Sequence, residues 1–104
     1  MSVLFLHNPA PEIINEELYG AEVDCWSFGV IVYYCLSGEL PFFDNTEEKL
    51  FERIKNCEWG FSPSTFDDVS EEGKDLITKL LVKNPADRLT ATEIIAHPWF
   101  EKAS

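Results

Sequence analysis

Ser27, His97 and Asp24 supply the residue types of a nucleophile, a general base and an orienting acid. Ser27 and Asp24 fall on one predicted helix and His97 at the far end of the chain, placements that argue against a triad. Cys25, Cys35 and Cys57 are the chain's thiols. Their odd number and the lack of CxxC spacing argue against a disulfide framework and against a zinc site. Cys25 and Cys35, ten residues apart on the same predicted helix, cannot meet within it. His7 and His97 stand alone, without metal-ligand spacing.

The elements that must carry these side chains read as helices. Asn8-Pro9-Ala10-Pro11 is a loop, and Glu12–Glu17 is expected to form a short helix before Tyr19-Gly20. Val23–Ser37 is apolar on nearly every side and closes at Gly38, a helix stop. A helix apolar all round belongs in the centre of a larger protein. Another helix is expected near Asn45, where Asn45 and Glu48 have capping-box spacing, with Leu50, Phe51 and Ile54 as its apolar stripe. Asn56–Val69 reads as irregular chain anchored by Trp59, Phe61, Pro63 and Phe66. Ser70 caps the next helix, whose inner face is Leu76, Ile77, Leu80 and Leu81, and Asn84-Pro85 ends it. Thr90 and Glu93 form a capping box for a last helix, with Ile94 and Ile95 inward and Pro98 as its stop. The expectation is all-α: five helices and no convincing strand.

A chain of 104 residues makes one domain. Its 45% hydrophobic and 26% charged residues are a globular balance. The net charge of −11 disfavours nucleic acid and anionic membranes as partners, because both are bound by clustered Lys and Arg. An acidic surface either keeps the chain solvated or steers basic peptides toward it. The longest apolar stretch, Val30–Leu36, is far short of a membrane span. With unpaired cysteines, a reducing, cytoplasmic compartment is expected.

Four segments carry a family resemblance. Ala10-Pro11-Glu12 is similar to the Ala-Pro-Glu motif that closes the activation segment of protein kinases. Twelve residues after Glu12, Asp24-Cys25-Trp26-Ser27-Phe28-Gly29-Val30 resembles the DxWSxGV signature of the kinase F helix. Leu36-Ser37-Gly38-Glu39-Leu40-Pro41-Phe42 continues that likeness. Asn84-Pro85-Ala86-Asp87-Arg88-Leu89-Thr90 and His97-Pro98-Trp99-Phe100 resemble the closing H and I helices. On these motifs the chain resembles the C-terminal lobe of a serine/threonine protein kinase, and the wording of Ser70–Val82 and His97–Phe100 resembles the calmodulin-dependent kinase group.

The resemblance implies the EF, F, G, H and I helices of the kinase C-lobe, without the N-lobe. It implies a partial kinase domain over residues 9–100, preceded by a divergent segment 1–8 and followed by a tail 101–104. In that stretch Phe5 falls where the family has a substrate-contacting Thr, and Asn8 where it has a Tyr. Glu12 and Arg88 are expected to form a buried ion pair tying the activation segment to the loop between the H and I helices. Asp24 is the residue that anchors the catalytic loop in an intact kinase. Trp26 is expected to pack beneath the activation segment and the H helix. Trp26, Leu50, Phe51 and Ile54 are the candidate substrate or partner surface.

Phosphoryl transfer needs a glycine-rich loop, a strand Lys paired with a helix Glu, a catalytic-loop Asp and Asn, and a metal-binding Asp before Phe-Gly. The sequence has no GxGxxG, His-Arg-Asp or Asp-Phe-Gly. No cofactor is therefore expected on this chain; ATP and Mg belong to an intact parent kinase. The expected function is a partial Ser/Thr kinase domain, inactive alone, whose partners are a protein substrate, a kinase regulator or the missing N-terminal portion of a kinase. The alternative is a non-catalytic binding module acting through the G helix and the exposed F-helix surface.

Overall fold

The computed structural model describes residues 8–103. Among them lie seven α-helices and one 3₁₀ turn, and no strand. The helices are α1 (Pro11–Ile14), α2 (Glu22–Ser37), α3 (Glu47–Lys55), α4 (Pro63–Phe66), α5 (Glu71–Leu80), α6 (Ala91–Ile95) and α7 (Pro98–Ala103). The 3₁₀ turn is Pro85–Asp87. The described chain is thus all-α. The expectations that fall on residues 1–7, including Phe5 and His7, lie outside the described residues.

Helix α2 is the central element. Its buried positions, Cys25, Trp26, Gly29, Val32 and Tyr33, recur at helical spacing and form one inward stripe. Gly38 ends it with φ of +79°, a left-handed conformation that glycine adopts without a Cβ penalty. Helix α5 packs on the inward stripe, and Gly29 is what allows the approach. A Cβ on Gly29 would stand 2.8 Å from the Leu80 Cβ and 3.2 Å from Leu81 Cδ2. Leu76, Ile77 and Leu80 supply the α5 side of this contact and are wholly buried. Burying each such side chain contributes about 1.5–3 kcal/mol before entropy is counted.

A second part of the core is aromatic. Tyr33 meets Phe66 at 4.7 Å between ring centroids, Phe61 at 6.3 Å, and Trp59 edge-on at 6.3 Å. The Tyr33 hydroxyl donates to the carbonyl of Gly60 at 2.6 Å, so its polar end is satisfied. Short helix α4 delivers Phe66 to this cluster, inside the segment expected to be irregular. Pro63 opens α4 at the position where a missing N–H costs nothing.

Several local expectations are corrected. Helix α1 covers Pro11–Ile14 rather than Glu12–Glu17. The N-cap of α3 is Thr46, not Asn45: the Thr46 hydroxyl accepts from the Lys49 N–H at 3.2 Å. The Asn45 N–H is already taken by Asp44 Oδ1 at 2.7 Å. At its other end α3 closes with Glu58 N–H on the Arg53 carbonyl and Cys57 N–H on the Ile54 carbonyl. Cys57 occupies the left-handed position of that turn, with φ of +54°. Pro98 does not merely end a helix; it begins α7. Ile94 is buried, but Ile95 is 75% exposed rather than inward. Ser70 caps α5 by accepting from Gly73, and Thr90 and Glu93 form both bonds of a capping box on α6.

Candidate functional site

Arg88 is the centre of the most connected polar site. Its Nη1 and Nη2 donate to Oε2 and Oε1 of Glu12, each at 2.6 Å, in a parallel two-bond pair. Its Nε donates to the carbonyl of Val82 at 2.7 Å, Nη1 also to the carbonyl of Glu22, and Nη2 also to that of Lys83. A guanidinium has five N–H donors, so these five bonds account for all of them. The Arg88 side chain is fully buried, and its charge lies 5.0 Å from the centre of the Trp26 ring. Burial alone pushes the Glu12 carboxyl up, but the Arg88 hydrogen bonds, a backbone hydrogen bond and the Arg88 charge outweigh it. The net effect holds Glu12 below the usual carboxylate range and keeps the pair ionised.

The start of α1 is fixed by a second device that the sequence did not single out. Asn8 is buried; its side-chain amide donates to the Phe42 carbonyl at 3.2 Å and accepts the Phe42 N–H at 3.0 Å. The Asn8 carbonyl accepts the Trp26 indole N–H at 2.8 Å, and the Trp26 ring stacks on Phe42 at 5.7 Å. Asn8 thus joins the approach to α1 to the α2–α3 connection through Trp26. The only signal in the sequence is an amide-bearing residue directly before Pro9, which reads equally well as a turn.

Of the residues expected to form a partner surface, three do not. Trp26, Leu50 and Ile54 are 0%, 1% and 0% exposed, and Phe51 is half-buried. The physical reason is that α3 turns Leu50 and Ile54 into the shared core and leaves its charged residues outside. Trp26 packs against Phe42 and Arg88 instead of facing a partner. Asp24 is exposed. Ser27 is also exposed, on α2, whereas His97 hydrogen-bonds Asp75 of α5 at 2.8 Å. His97 Nδ1 accepts the Trp99 N–H at 3.0 Å, so this imidazole joins α5 to α7. Cys25 and Cys57 are held as thiols: burial pushes both up, with the Asp24 charge adding to it at Cys25. Among the described residues, no three His, Cys, Asp or Glu side chains form a group that could hold a metal.

The accessible feature is a groove on the outer face of α2. Val23, Ser27, Val30, Ile31 and Tyr34 line it from the helix, with Asn8, Pro9, Ala10, Ile13 and Leu40 opposite. It encloses about 690 Å³ and carries no charged side chain. Ile31 and Tyr34 are 56% and 53% exposed there. The groove leaves apolar side chains of α2 exposed on the side away from its core-facing stripe.

The family described as "Protein kinase domain" matches residues 6–100. A probable serine/threonine-protein kinase, fhkE of Dictyostelium discoideum, is 48% identical over 95 residues, covering 88% of this chain and 13% of that protein. Calcium-dependent protein kinase 25 of Arabidopsis thaliana is 46% identical over 90 residues, covering 86% of this chain and 17% of that protein. The chain therefore spans less than a fifth of these relatives. Among solved structures, the twitchin kinase region from C. elegans superposes with a TM-score of 0.87 at 38% identity, over 88% of this chain and 16% of that one. The autoinhibited serine kinase domain of titin gives 0.89 at 36% identity, over 92% of this chain and 30% of that one.

Proposed function

The chain belongs to the protein kinase domain family, and from that premise we propose that it is a partial serine/threonine kinase domain that transfers phosphate only when the rest of a kinase is joined to it. The observation that carries this reading is the uncharged groove along α2, where Ile31 and Tyr34 lie exposed on the central helix. Apolar surface of that kind is covered in a complete domain. We assign the cover to the remaining portion of a kinase, and the partners of the whole to that portion together with a protein substrate. Glu12, Asp24 and Arg88 are structural and positioning residues in this scheme. Arg88 holds α1, through Glu12, against the start of α2 and the segment that follows α5, and Asp24 stays solvent-facing for a catalytic loop supplied from elsewhere.

The residues present do not fit ATP and magnesium. The five glycines of the sequence have no GxGxxG spacing, and the sequence lacks the His-Arg-Asp and Asp-Phe-Gly motifs that serve phosphates and magnesium in kinases. In this reading the catalytic side chains come from the remaining portion of the kinase. Calorimetric titration of the 104-residue chain with Mg-ATP tests the reading. No saturable heat is expected, and binding at micromolar affinity would overturn it.

A second reading, a non-catalytic binding module, is favoured by the same groove. Burial of Leu50 and Ile54 removes the apolar stripe of α3 from that role, so the module would act through the outer face of α2. Restoration of phosphotransfer on adding the complementary kinase portion favours the first reading. A stable, inactive monomer favours the second. Among the described residues no helix is long and apolar enough to cross a membrane.

A further inference from the structure

Tyr19 lies in the loop between α1 and α2, and we propose that it is a phosphorylation site for a protein tyrosine kinase whose peptide-binding cleft is basic. The inference stands on the geometry of this loop and not on phosphoryl transfer by the chain itself. Residues 15–22 are exposed without a break, and Tyr19 is 64% exposed. Two backbone bonds close the loop at its ends: Glu17 N–H on the Glu12 carbonyl at 2.9 Å, and Val23 N–H on the Gly20 carbonyl at 3.3 Å. Arg88 ties the same ends together, since its Nη1 donates both to Glu12 Oε2 and to the Glu22 carbonyl. Between these ends, no hydrogen bond among the described residues involves Leu18 or Tyr19. The loop is thus framed at its base and free at its tip. A free main chain is what a cleft needs in order to take up a peptide in extended form.

The other two tyrosines lack these properties. Tyr33 is buried, and its hydroxyl is engaged by the Gly60 carbonyl. Tyr34 is exposed, but its main chain is locked inside α2, where its carbonyl accepts the Gly38 N–H at 2.7 Å. Its ring also lines the groove assigned above to the remaining portion of a kinase. Leu18 and Tyr19 are not part of that lining, so the assignment leaves them unused.

Charge sets the class of enzyme. Glu16 and Glu17 stand three and two residues before Tyr19, Glu22 stands three after it, and no Lys or Arg occurs before Lys49. All three of these Glu residues are exposed. A cleft lined with Lys and Arg is complementary to such a segment, and an acidic cleft repels it. Leu18, fully exposed directly before the tyrosine, adds an apolar anchor. In the transfer step, Tyr19 Oη bonds to the γ-phosphorus of Mg-ATP held by that enzyme, and the bond from this phosphorus to the β–γ bridging oxygen breaks. ADP leaves, and the phenolic proton passes to the carboxylate base of the enzyme.

The test incubates the folded 104-residue chain with Mg-ATP and the catalytic domain of a tyrosine kinase that prefers Glu before its target, and locates phosphate by mass spectrometry. One phosphate is expected, on Tyr19, lost in Tyr19→Phe and retained in Tyr34→Phe. The rate is expected to stay within about tenfold of that for a synthetic peptide of residues 13–24, because the loop needs no local unfolding to enter the cleft. Glu16→Gln combined with Glu17→Gln is expected to lower kcat/KM about tenfold or more. Asp67→Asn with Asp68→Asn removes the same charge from exposed positions elsewhere and should leave it unchanged. Phosphate on Tyr34 in place of Tyr19 would overturn the site, as would a folded chain modified more than about tenfold slower than the peptide. Equal loss in both double variants would reduce the effect to net charge and overturn the basic cleft. If the first double variant fails to fold, the position and rate of phosphorylation on the unaltered chain decide.

Discussion

Glu12 and Arg88, 76 residues apart in sequence, face each other through two 2.6 Å hydrogen bonds with both side chains out of water. The relation is not symmetric. Arg88 has three further acceptors among backbone carbonyls, whereas the Glu12 carboxylate depends on Arg88 for its countercharge. Loss of either partner leaves a buried charge, but only loss of Arg88 also frees the carbonyls of Val82, Glu22 and Lys83.

Arg88→Ala is therefore expected to cost roughly 3–5 kcal/mol, the range for breaking a buried pair from one side. Arg88→Lys recovers the charge but not the five-donor fork, and it should remain well below the unaltered chain in stability. Lys49→Ala, at an exposed position, should stay within about 0.5 kcal/mol. Urea midpoints of the three variants check this, and similar midpoints for Arg88→Ala and Lys49→Ala would refute it.

Acid should unfold the chain partly through Glu12. Its folded carboxyl lies below the unfolded value of about 4.3, so its contribution is complete above that pH and is lost as pH falls through the lower, folded value. Asp75, held down by the hydrogen bond of His97 and then that of Lys79, acts in the same direction. Glu12→Gln should be less stable at pH 7 yet lose less on going from about pH 5 to pH 2. Parallel stability curves for the two proteins would contradict this assignment.

Asn8→Ala should cost about 1–3 kcal/mol, because Phe42 loses both a donor and an acceptor in a buried place. Asn8→Asp keeps the acceptor for the Phe42 N–H but loses the donor to the Phe42 carbonyl, and it should fall at or below the alanine variant at pH 7. Thermal melts measure both. An unchanged melting temperature for Asn8→Ala would show that water replaces the amide without loss.

Gly29→Ala should destabilise although alanine favours helices by about 1 kcal/mol. Its Cβ would meet the Leu80 Cβ at 2.8 Å, and overpacking of this kind costs about 1–3 kcal/mol. Gly60→Ala, where an added Cβ meets nothing within 4 Å, is the matched control and should be near neutral. Stabilisation by Gly29→Ala would mean that α2 and α5 can separate at little cost.

Much of this fold is legible in the sequence where the signal is local. Ser70 and the Thr90–Glu93 box show as caps because a side-chain oxygen three residues before a free N–H suffices to define one. Gly38 marks the end of α2 because a left-handed residue is needed there. The sequence offers both Asn45 and Thr46 as cap residues, and the structure places the cap at Thr46, whose backbone is extended and whose hydroxyl accepts the Lys49 N–H. A uniformly apolar helix cannot declare which side is covered, so the outward turn of Tyr34 beside the buried Tyr33 emerges only in three dimensions. The misplacement of Trp26, Leu50 and Ile54 on a partner surface has the same origin. Their apolar character shows that they need cover, not whether this chain supplies it.

The separation between Glu12 and Arg88 has a consequence for how the chain matures. During synthesis, α2 and the aromatic cluster leave the ribosome long before residue 88 does. Until then Glu12 lacks the countercharge that Arg88 supplies. Non-local closure of this kind slows folding, because ordering of the intervening chain precedes its reward. The core around Arg88 therefore stays unfinished until residue 88 has been made, an interval in which the side chains that pack there remain open to chaperones.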